Sequence, residues 1–419
     1  MRVDGVLRVP GDKSISHRAL MLGALGDGVS CVRGVLQSLD LQSTAFVLRA
    51  LGAGVPDLSN QTVIRGVGLR GLLAPSVDLD CGNSGTTARL MTGIVAGSPL
   101  AARFTGDASL SRRPMKRVSR PLTEMGARVE FEAGDGLPMT VHGGGLRGLT
   151  WHMETASAQV KSAILLAGLV GDVPVEVHES APTRDHTERM FAGRGVDVRV
   201  DAGVVTLVPA ARLDAADQLV PADPSSAAFF ASLAAIADSG ALALDDVCVN
   251  ATRAGAFQVL RRMGASVRFE NVRTEGGEDV ARVVVAPSAL RGTVIEGSEV
   301  PSLVDELPVL ACVAACADGE TRVSGAGELR VKESDRIKAI VENLRAVGAD
   351  AEELADGFVV RGTGRRPLAG RVTTHGDHRI AMAFGVLGAI PGSQVTVDDP
   401  ACAAVSFPTF WKELSRVVG

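Results

Sequence analysis

The sequence is poor in aromatic residues, which make up only 3% of its 419 positions, although 46% of the positions are hydrophobic. Its cores must therefore consist mainly of Ala, Val and Leu, whose compact side chains let helices and sheets pack closely. No apolar run reaches the roughly 18–20 residues that a membrane span requires, and the N-terminus lacks the form of a secretory signal. We therefore expect a cytoplasmic protein that does not associate with membranes.

Metal-binding patterns and a basic overall charge are also missing. The six cysteines have no CxxC spacing, and the seven histidines form no HxH or HExxH motif. Because these spacings are typical of metal sites, we predict no metal site and assign the cysteines to core packing. The formal net charge of −5 argues against a general nucleic-acid-binding protein, which would carry a basic surface. Any cationic site must therefore be local.

The sequence does contain a repeated pattern, in which a polar start rich in Gly or Ser precedes an apolar helix of about three turns. Ser, Asp and Thr at such starts cap helices, because their oxygens accept the free backbone N–H groups of the first turn. A helix that is apolar on nearly all sides is a buried helix, so six copies predict six buried helices. The copies are PGDKSISHRALMLGAL from Pro10, GNSGTTARLMTGIVAG from Gly82, SAQVKSAILLAGLVG from Ser157, DPSSAAFFASLAAIA from Asp223, SLVDELPVLACVAACADG from Ser302 and GDHRIAMAFGVLGAI from Gly376.

A second repeat alternates with the first, and in it an amphipathic helix ends at a glycine before a short β-like run. A glycine in this position is the left-handed stop of a helix. The spacing of 69 to 84 residues indicates a repeated α/β unit, of which six copies account for the chain. Since the chain is too long for one core, we expect two domains of three units each. The glycines are Gly52, Gly126, Gly195, Gly264, Gly348 and the closing Gly419.

Basic side chains cluster at the starts of the apolar helices, at Lys13, Arg18, Arg89, Lys161 and Arg379. Free N–H groups and the positive end of the helix dipole attract anions at the same places. If the helix starts face a common cleft, the ligand is small and carries several phosphates or carboxylates, which Arg and Lys bind well.

Acidic residues interrupt this positive charge. They act either as ion-pair partners or as general acids and bases, and their spacing leaves both roles open. They are Asp305, Glu306, Glu333, Asp335 and Asp377. Further basic residues lie in three loops that open the amphipathic helices, at residues 106–117, 180–189 and 327–336.

Six ordered motifs together resemble the 5-enolpyruvylshikimate-3-phosphate synthases, an enolpyruvyl transferase family of the shikimate pathway. The resemblance implies an α/β fold of two domains, each built from three βαβαββ units as an inside-out α/β barrel, with the starts of the buried helices facing a cleft between the domains. It places the first domain at residues 1–12 and 223–419, and the inserted second domain at residues 13–222. The motifs are PGDKSISHRAL, GNSGTTARL, SRRPMKR, SAQVKSA, VKESDRI and GDHRIAM.

The resemblance also implies a reaction. The family transfers the enolpyruvyl group of phosphoenolpyruvate to the 5-hydroxyl of shikimate 3-phosphate by addition and elimination, and it releases phosphate on the way to chorismate and the aromatic amino acids. Both substrates are small polyanions, and no metal or organic cofactor is needed. We expect a monomer whose partners are these two substrates, with no nucleic acid and no membrane.

The motifs imply roles for individual residues. Catalytic roles fall to Lys13 as a proton relay, Asp305 as the proton acceptor and Glu333 as the acid or base near C3. The implied contacts to shikimate 3-phosphate are Lys13, Ser14, Arg18, Ser157, Gln159, Ser180, Asp305 and Lys332. The implied contacts to phosphoenolpyruvate are Lys13, Gly85, Arg113, Gln159, Arg336 and Arg379, and Asn83 and Arg184 are further candidates.

The sequence departs from the best-known form of the family at three positions. Ala158 replaces a second serine, so one phosphate hydrogen bond is either missing or supplied by Arg184. Glu328 stands where asparagine is frequent, and Val405 stands where a lysine can precede the (S/T)-F-P motif. These changes mark a divergent subclass, since the rest of the site is present.

Two other functions are compatible with the same fold. The sister transferases that act on UDP-N-acetylglucosamine typically have Lys-Asn at the first helix and a cysteine in the loop that here reads DASLSRRP; this chain has Lys13-Ser14 and no cysteine there. The second alternative is a non-catalytic anion-binding scaffold. The presence of Asp305 and Glu333 beside the cationic motifs argues against it.

Overall fold

The computed structural model describes residues 1–418, and over this range the chain alternates helices and strands. The helices are α1 (Lys13–Leu25), α2 (Leu39–Ala50), α3 (Gly85–Gly97), α4 (Lys116–Glu124), α5 (Ala158–Gly171), α6 (His186–Ala192), α7 (Pro224–Ala235), α8 (Gly255–Arg262), α9 (Leu307–Ala315), α10 (Arg336–Ala346), α11 (His378–Gly388) and α12 (Phe410–Val417). Short 3-10 turns span Leu110–Arg112, Val300–Ser302, Gly327–Val331 and Pro400–Val405.

The strands are mostly short, as expected for units joined by helices. They are β1 (Gly5–Leu7), β2 (Val29–Arg33), β3 (Gln61–Arg65), β4 (Leu79–Asp80), β5 (Ala101–Thr105), β6 (Arg128–Phe131), β7 (Met139–His142), β8 (Leu149–His152), β9 (Val175–His178), β10 (Val198–Asp201), β11 (Val204–Leu207), β12 (Gln218–Leu219), β13 (Leu242–Cys248), β14 (Ser266–Glu275), β15 (Glu278–Ala286), β16 (Val294–Ile295), β17 (Asp318–Val323), β18 (Asp350–Leu354), β19 (Gly357–Thr363), β20 (Ala369–Val372) and β21 (Gln394–Val397).

The chain divides into two compact units. One is the continuous segment Gly11–Val220, and the other combines Met1–Pro10 with the chain from Pro221 onward. The predicted domain boundaries, after residues 12 and 222, lie two residues beyond these divisions.

The continuous unit contains three sheets, with strand orders β12-β2-β3, β4-β5-β7-β6 and β8-β9-β11-β10. In each sheet the first two strands are parallel and the following pairs are antiparallel. In the second and third sheets a helix connects the two parallel strands, because parallel neighbours need a long crossover, whereas a short loop suffices between β6 and β7 and between β10 and β11. The second and third sheets are thus complete βαβαββ units, and β12 supplies the first strand of the remaining one.

The other unit repeats the arrangement in sheets of order β1-β13-β15-β14, β16-β17-β19-β18 and β20-β21. The N-terminal strand β1 runs parallel to β13 and completes a sheet whose other strands lie more than 230 residues later. The predicted α/β class is confirmed. Over the described residues, however, four of the six sheets have four strands, and the sheets of β2 and β20 have three and two.

The apolar helices α1, α3, α5, α7, α9 and α11 are buried along nearly their whole length. Five of them begin with a side chain that accepts a first-turn backbone N–H, as the sequence predicts: Asp12, Ser84, Ser157, Asp223 and Asp377. The exception, α9, has no side-chain cap and begins at Leu307, directly before Pro308. Its polar start therefore forms a 3-10 turn and a short loop instead of a helical turn.

The predicted glycine stops are confirmed at five positions. Gly52, Gly126, Gly195, Gly264 and Gly348 all have positive φ, between 79° and 116°, which only glycine adopts easily. The predicted stop at Gly419 lies outside the described residues.

Two further predictions concern the cores and membranes. All six cysteines are free; four are buried, but Cys31 and Cys402 are only half-buried, so core packing does not account for these two. Within residues 1–418, none of the helices has the length and hydrophobicity needed to span a membrane.

Candidate active site

The start of α1 holds Lys13 in a defined position. Asp12 caps the helix by accepting the N–H of Ile15 at 2.8 Å, so the chain enters the helix in one conformation. Lys13, the first helical residue, places its Nζ 3.1 Å from Asp40 Oδ2 in the first turn of α2. The Lys13 side chain is 18% exposed. A ligand can therefore reach this ammonium group, and Asp40 keeps it oriented.

Arg18 lies one turn further along α1 and is buried. Its Nε donates to Thr187 Oγ1 and its Nη2 donates to Ser162 Oγ, both at 2.7 Å, while its Nη1 donates to the carbonyl of Ser14 at 3.0 Å. The Nη1 of half-buried Arg184 lies 3.4 Å from Ser14 Oγ. The hydrogen bonds to Thr187, Ser162 and Ser14 hold the guanidinium of Arg18 in place.

The start of α5 carries two of the predicted residues. Ser157 caps the helix by accepting the N–H of Val160. Gln159 accepts a hydrogen bond from Arg89 Nη1 at 2.7 Å and donates to Thr86 Oγ1 at 3.1 Å. The amide thus bridges to two residues of α3, and its orientation follows from these partners.

Three of the remaining predicted positions have few defining contacts. Ser180 lies in the exposed loop after β9, Ala158 is the half-buried first residue of α5, and Val405 ends the 3-10 turn Pro400–Val405.

Lys161 does not belong with the ligand-accessible cations, although its motif suggested that it would. Its side chain is only 1% exposed, and Nζ lies 3.0 Å from Glu179 Oε1 and 2.6 Å from Glu188 Oε1. Burial raises the pKa of Glu188, and the charge of Lys161 opposes that rise. Lys161 therefore joins helix α5 to the segment before and within α6.

The start of α3 brings Gly85 and Arg113 together. Arg113 Nη2 donates to Asn83 Oδ1 at 2.6 Å and lies 3.3 Å from Ser109 Oγ. A Cβ at Gly85 would lie 3.0 Å from Arg89 Nη1 and 3.4 Å from Arg113 Nη1. The glycine therefore lets two guanidinium groups approach the free N–H groups of a helix start, an arrangement suited to an anion.

In the other unit, Arg336 is the centre of a cluster of acids. It is 1% exposed, and its guanidinium donates to both oxygens of Asp377 at 2.8 and 3.3 Å, to Asp305 at 3.2 Å and to Glu333 at 2.6 Å. Burial alone would lower the pKa of Arg336, but the charges of Asp377, Glu333 and Asp305 outweigh it and raise this pKa. The arginine stays charged and holds two predicted catalytic carboxylates on one group.

Lys332 lies next to this cluster, with Nζ 3.9 Å from Asp305 Oδ1. Burial lowers the pKa of its ammonium group, and the negative charges of Asp305 and Glu328 partly offset this effect. Glu328, one of the departures from the family pattern, therefore acts on Lys332 electrostatically. An ammonium group of lowered pKa releases a proton more readily than an exposed lysine does.

Arg379 lies in the first turn of α11, where Asp377 caps the helix and accepts the N–H of Arg379 at 2.9 Å. Its guanidinium is nearly buried, 3.9 Å from Glu306 Oε1 and 5.9 Å from the centre of the Phe229 ring. The carboxylate of Asp377 thus orders two of the predicted arginines. It accepts from the guanidinium of Arg336 and from the backbone N–H of Arg379.

The structure therefore groups the predicted residues of each unit around helix starts. The sequence did not predict the role of Asp40, which pairs with Lys13. It predicted Asp377 as a helix cap but not as the partner of Arg336. An acid in the first turn of α2 was the available signal for Asp40, but its partner lies 27 residues away. Nothing local in the sequence identifies such a pair.

Known proteins match this chain over its whole length. The family described as EPSP synthase (3-phosphoshikimate 1-carboxyvinyltransferase) matches residues 1–414. A curated 3-phosphoshikimate 1-carboxyvinyltransferase of Sulfurihydrogenibium sp. is 46% identical over 421 residues, covering 99% of this chain and 97% of the relative. The enzyme of that name from Aquifex aeolicus is 45% identical over 423 residues, covering 100% and 98%.

Solved structures agree with these matches. An EPSP synthase from Acinetobacter baumannii superimposes with a TM-score of 0.87 at 40% identity, covering 100% of this chain and 96% of that one. The enolpyruvyl transferase NikO from Streptomyces tendae, at 16% identity, shares the fold with a TM-score of 0.76, covering 99% of this chain and 95% of that one. The fold is thus that of the enolpyruvyl transferases. Within this class, the chain belongs to the EPSP synthase family, which confirms the predicted resemblance and enzyme class.

Proposed function

We propose that this protein transfers the enolpyruvyl group of phosphoenolpyruvate to the 5-hydroxyl of shikimate 3-phosphate and releases phosphate. The observation that carries the proposal is the full-length membership of the EPSP synthase family, in a chain that keeps the family's charged motifs. The acid cluster around Arg336 supports it, because Asp305 and Glu333 lie within hydrogen-bond distance of one fixed cation.

Shikimate 3-phosphate needs groups that neutralise a phosphate and groups that hold a hydroxylated ring. Arg18 suits the phosphate, because hydrogen bonds to Thr187 and Ser162 hold its guanidinium in one orientation. Lys13 and the capped start of α5 add a further charge and free N–H groups. The proposed contacts are Lys13, Ser14, Arg18, Ser157, Gln159, Ser180, Asp305 and Lys332, with Arg184 in place of the serine absent at Ala158.

Phosphoenolpyruvate carries a phosphate and a carboxylate, and bidentate arginines suit both groups. Arg113 and Gly85 support this assignment, because the glycine leaves the start of α3 open beside the guanidinium. Arg336 and Arg379 are both ordered by Asp377. The proposed contacts are Lys13, Gly85, Arg113, Gln159, Arg336 and Arg379, with Asn83 holding Arg113.

The proposed reaction is an addition followed by an elimination. Asp305 accepts the proton of the 5-hydroxyl as its oxygen bonds to C2 of phosphoenolpyruvate, and C3 gains a proton from Glu333. The tetrahedral intermediate then loses the C3 proton back to Glu333, and its C2–O bond to phosphate breaks. Lys13 and Lys332 stabilise the negative charge, and Lys13 relays a proton to the leaving phosphate.

Three further features belong to this proposal. The functional domains are residues 1–12 with 223–419, and residues 13–222. The protein acts as a monomer in the cytoplasm, and its partners are the two small substrates without nucleic acid. Size-exclusion chromatography with light scattering tests the monomer, since a mass near twice 43.3 kDa would contradict it.

A phosphate-release assay tests the function. Phosphoenolpyruvate is supplied with either shikimate 3-phosphate or UDP-N-acetylglucosamine as acceptor, and we expect release only with shikimate 3-phosphate. Release with the nucleotide sugar instead would assign the protein to the sister transferases. Ligand-induced thermal stabilisation without any release would make it an anion-binding scaffold.

A further inference from the structure

A chain of buried hydrogen bonds joins helices α1, α2 and α3. His17 Nδ1 lies 2.7 Å from Thr44 Oγ1, which lies 2.7 Å from Thr87 Oγ1, and Thr87 Oγ1 lies 2.8 Å from Ser84 Oγ. All four residues are 0% exposed. Since water does not reach these groups, each must be satisfied by the others, and the chain acts as one network.

The positions of the protons follow from the partners. Within the described residues, His17 Nε2 has no hydrogen-bond partner, whereas the hydroxyls of Thr44 and Thr87 both lie 3.5 Å from the carbonyl of Asp40. If Nδ1 carries the proton, His17 donates to Thr44, Thr44 donates to Thr87, and Thr87 donates to Ser84, with the carbonyl of Asp40 as a second and longer acceptor. The imidazole N–H then has an acceptor, whereas a proton on Nε2 would leave a buried N–H without one.

Burial, reinforced by the charges of Lys13 and Arg18, lowers the pKa of His17 well below its ordinary value. The imidazole is therefore neutral at physiological pH, as the hydrogen-bond pattern requires.

The network ends at the starts of the helices that carry candidate ligand groups. His17 lies one turn after Lys13 on α1, and Asp40 both joins the network through its carbonyl and pairs with Lys13 through its carboxylate. At the other end, Ser84 caps α3 directly before Gly85. A shift of one helix start relative to the others would thus require breaking these bonds.

We propose that His17, acting through Thr44 and Thr87, is a positioning residue that fixes the first turn of α3 relative to Lys13. Because that turn carries a proposed contact to phosphoenolpyruvate but none to shikimate 3-phosphate, the network sets the affinity for phosphoenolpyruvate. This inference rests on the function proposed above.

Two substitutions break the network and two controls leave it intact. Thr87→Val removes one hydroxyl at nearly constant volume, and His17→Gln moves the side-chain amide away from the Nδ1 position. His17→Asn keeps an amide near the position of Nδ1. Thr92→Val makes the same change as Thr87→Val at an equally buried site on α3, where the hydroxyl bonds only to the carbonyl of Ala88 in its own helix.

We expect Thr87→Val and His17→Gln each to raise the KM for phosphoenolpyruvate about three- to tenfold, the range for one lost hydrogen bond. The KM for shikimate 3-phosphate should stay within about twofold, and so should both constants of His17→Asn and Thr92→Val. The double variant of His17→Gln and Thr87→Val should be no worse than the weaker-binding single variant, since both break one network. If His17→Gln does not fold, Thr87→Val carries the test.

Equal KM values for phosphoenolpyruvate in Thr87→Val and Thr92→Val would overturn the proposal. It would also be overturned if the increase in this KM in the double variant were the product of the increases in His17→Gln and Thr87→Val. A nitrogen NMR spectrum of the wild-type protein gives a test that does not depend on activity, because it shows which imidazole nitrogen of His17 is protonated. A proton on Nε2 would overturn the network as drawn. An inactive wild-type protein with the proton on Nδ1 would refute the proposed function but not the network.

Discussion

The variant Glu333→Gln tests whether Glu333 is a catalytic carboxylate or only a structural counter-charge to Arg336. The substitution keeps the size of the side chain and one acceptor oxygen but removes the group that can exchange a proton. Arg336 loses one charged partner at 2.6 Å and keeps its contacts to Asp377 and Asp305. Because the amide oxygen can still accept from Arg336, and Arg336 keeps two other carboxylates, we expect the free energy of unfolding to fall by only about 1 kcal/mol.

The expected effect on turnover is much larger. A general acid or base typically contributes about 10²- to 10⁴-fold, which corresponds to about 2.7–5.4 kcal/mol of the activation free energy. Steady-state phosphate release measures the loss, and thermal unfolding measures the stability. In heavy water, exchange of deuterium into C3 of phosphoenolpyruvate should fall together with turnover. The affinity for shikimate 3-phosphate should change by less than about tenfold, since that ligand does not receive the proton.

The matched control is Glu299→Gln. Glu299 also forms a charged pair with an arginine, since Arg262 Nη1 lies 2.7 Å from its Oε1, but it is not a proposed site residue. We expect this variant to lose about as much stability and to keep its turnover. Near-normal turnover of Glu333→Gln would refute the reasoning, and the proton would then have to come from Lys13 or Asp305.

Four other outcomes follow from the structure. Arg113→Ala and Arg336→Ala should each raise the KM for phosphoenolpyruvate about 10- to 150-fold, which is a larger increase than we expect in the KM for shikimate 3-phosphate. A larger increase for shikimate 3-phosphate in steady-state kinetics would mean that these arginines bind that ligand instead. Arg336→Ala should also lower the free energy of unfolding in urea by about 3–5 kcal/mol, because its acidic neighbours are left uncompensated, and an unchanged midpoint would contradict this. Gly85→Ala should raise the KM for phosphoenolpyruvate by several-fold, because the new Cβ would lie 3.0 Å from Arg89 Nη1; unchanged kinetics would show that the guanidinium moves freely. Because the pKa of His17 is lowered in the folded protein, the unfolded chain binds a proton below about pH 6.5 that the folded protein does not bind. The free energy of unfolding should therefore decrease by about 1.4 kcal/mol for each unit by which the pH is lowered below that value. In unfolding experiments between pH 5 and 7, the free energy of unfolding of His17→Asn should depend less on pH.

The helix starts could be predicted from the sequence because capping is local. Asp12 and Ser84 accept N–H groups only three residues away. Both partners of the capping hydrogen bond therefore lie within the short segment that the sequence pattern describes. The glycine stops are predictable for the same reason, since a left-handed residue after a helix favours glycine wherever the helix lies.

The pairing of charged side chains could not be predicted in this way. Lys161, like Lys13, lies in the first turn of a buried helix, yet Lys161 is enclosed by two glutamates and Lys13 is partly accessible. The difference comes from residues 18 to 27 positions further along the chain, which only the folded sheet and helix arrangement brings near. Arg336 and Asp377 are separated by 41 positions, and no periodicity in the sequence joins them.

The pairing of β1 with β13 has a consequence for the order in which the chain folds during synthesis. Strand β1 leaves the ribosome first, but its parallel partner begins at Leu242. At a synthesis rate of about 5–20 residues per second, β13 is made on the order of ten to fifty seconds after β1. The segment Gly11–Val220 contains β12, the strand that completes its own first sheet. It is therefore ready to fold while the N-terminal strand is still unpaired, and a chaperone that binds emerging chains should contact residues 1–10 for longer than any segment of that unit.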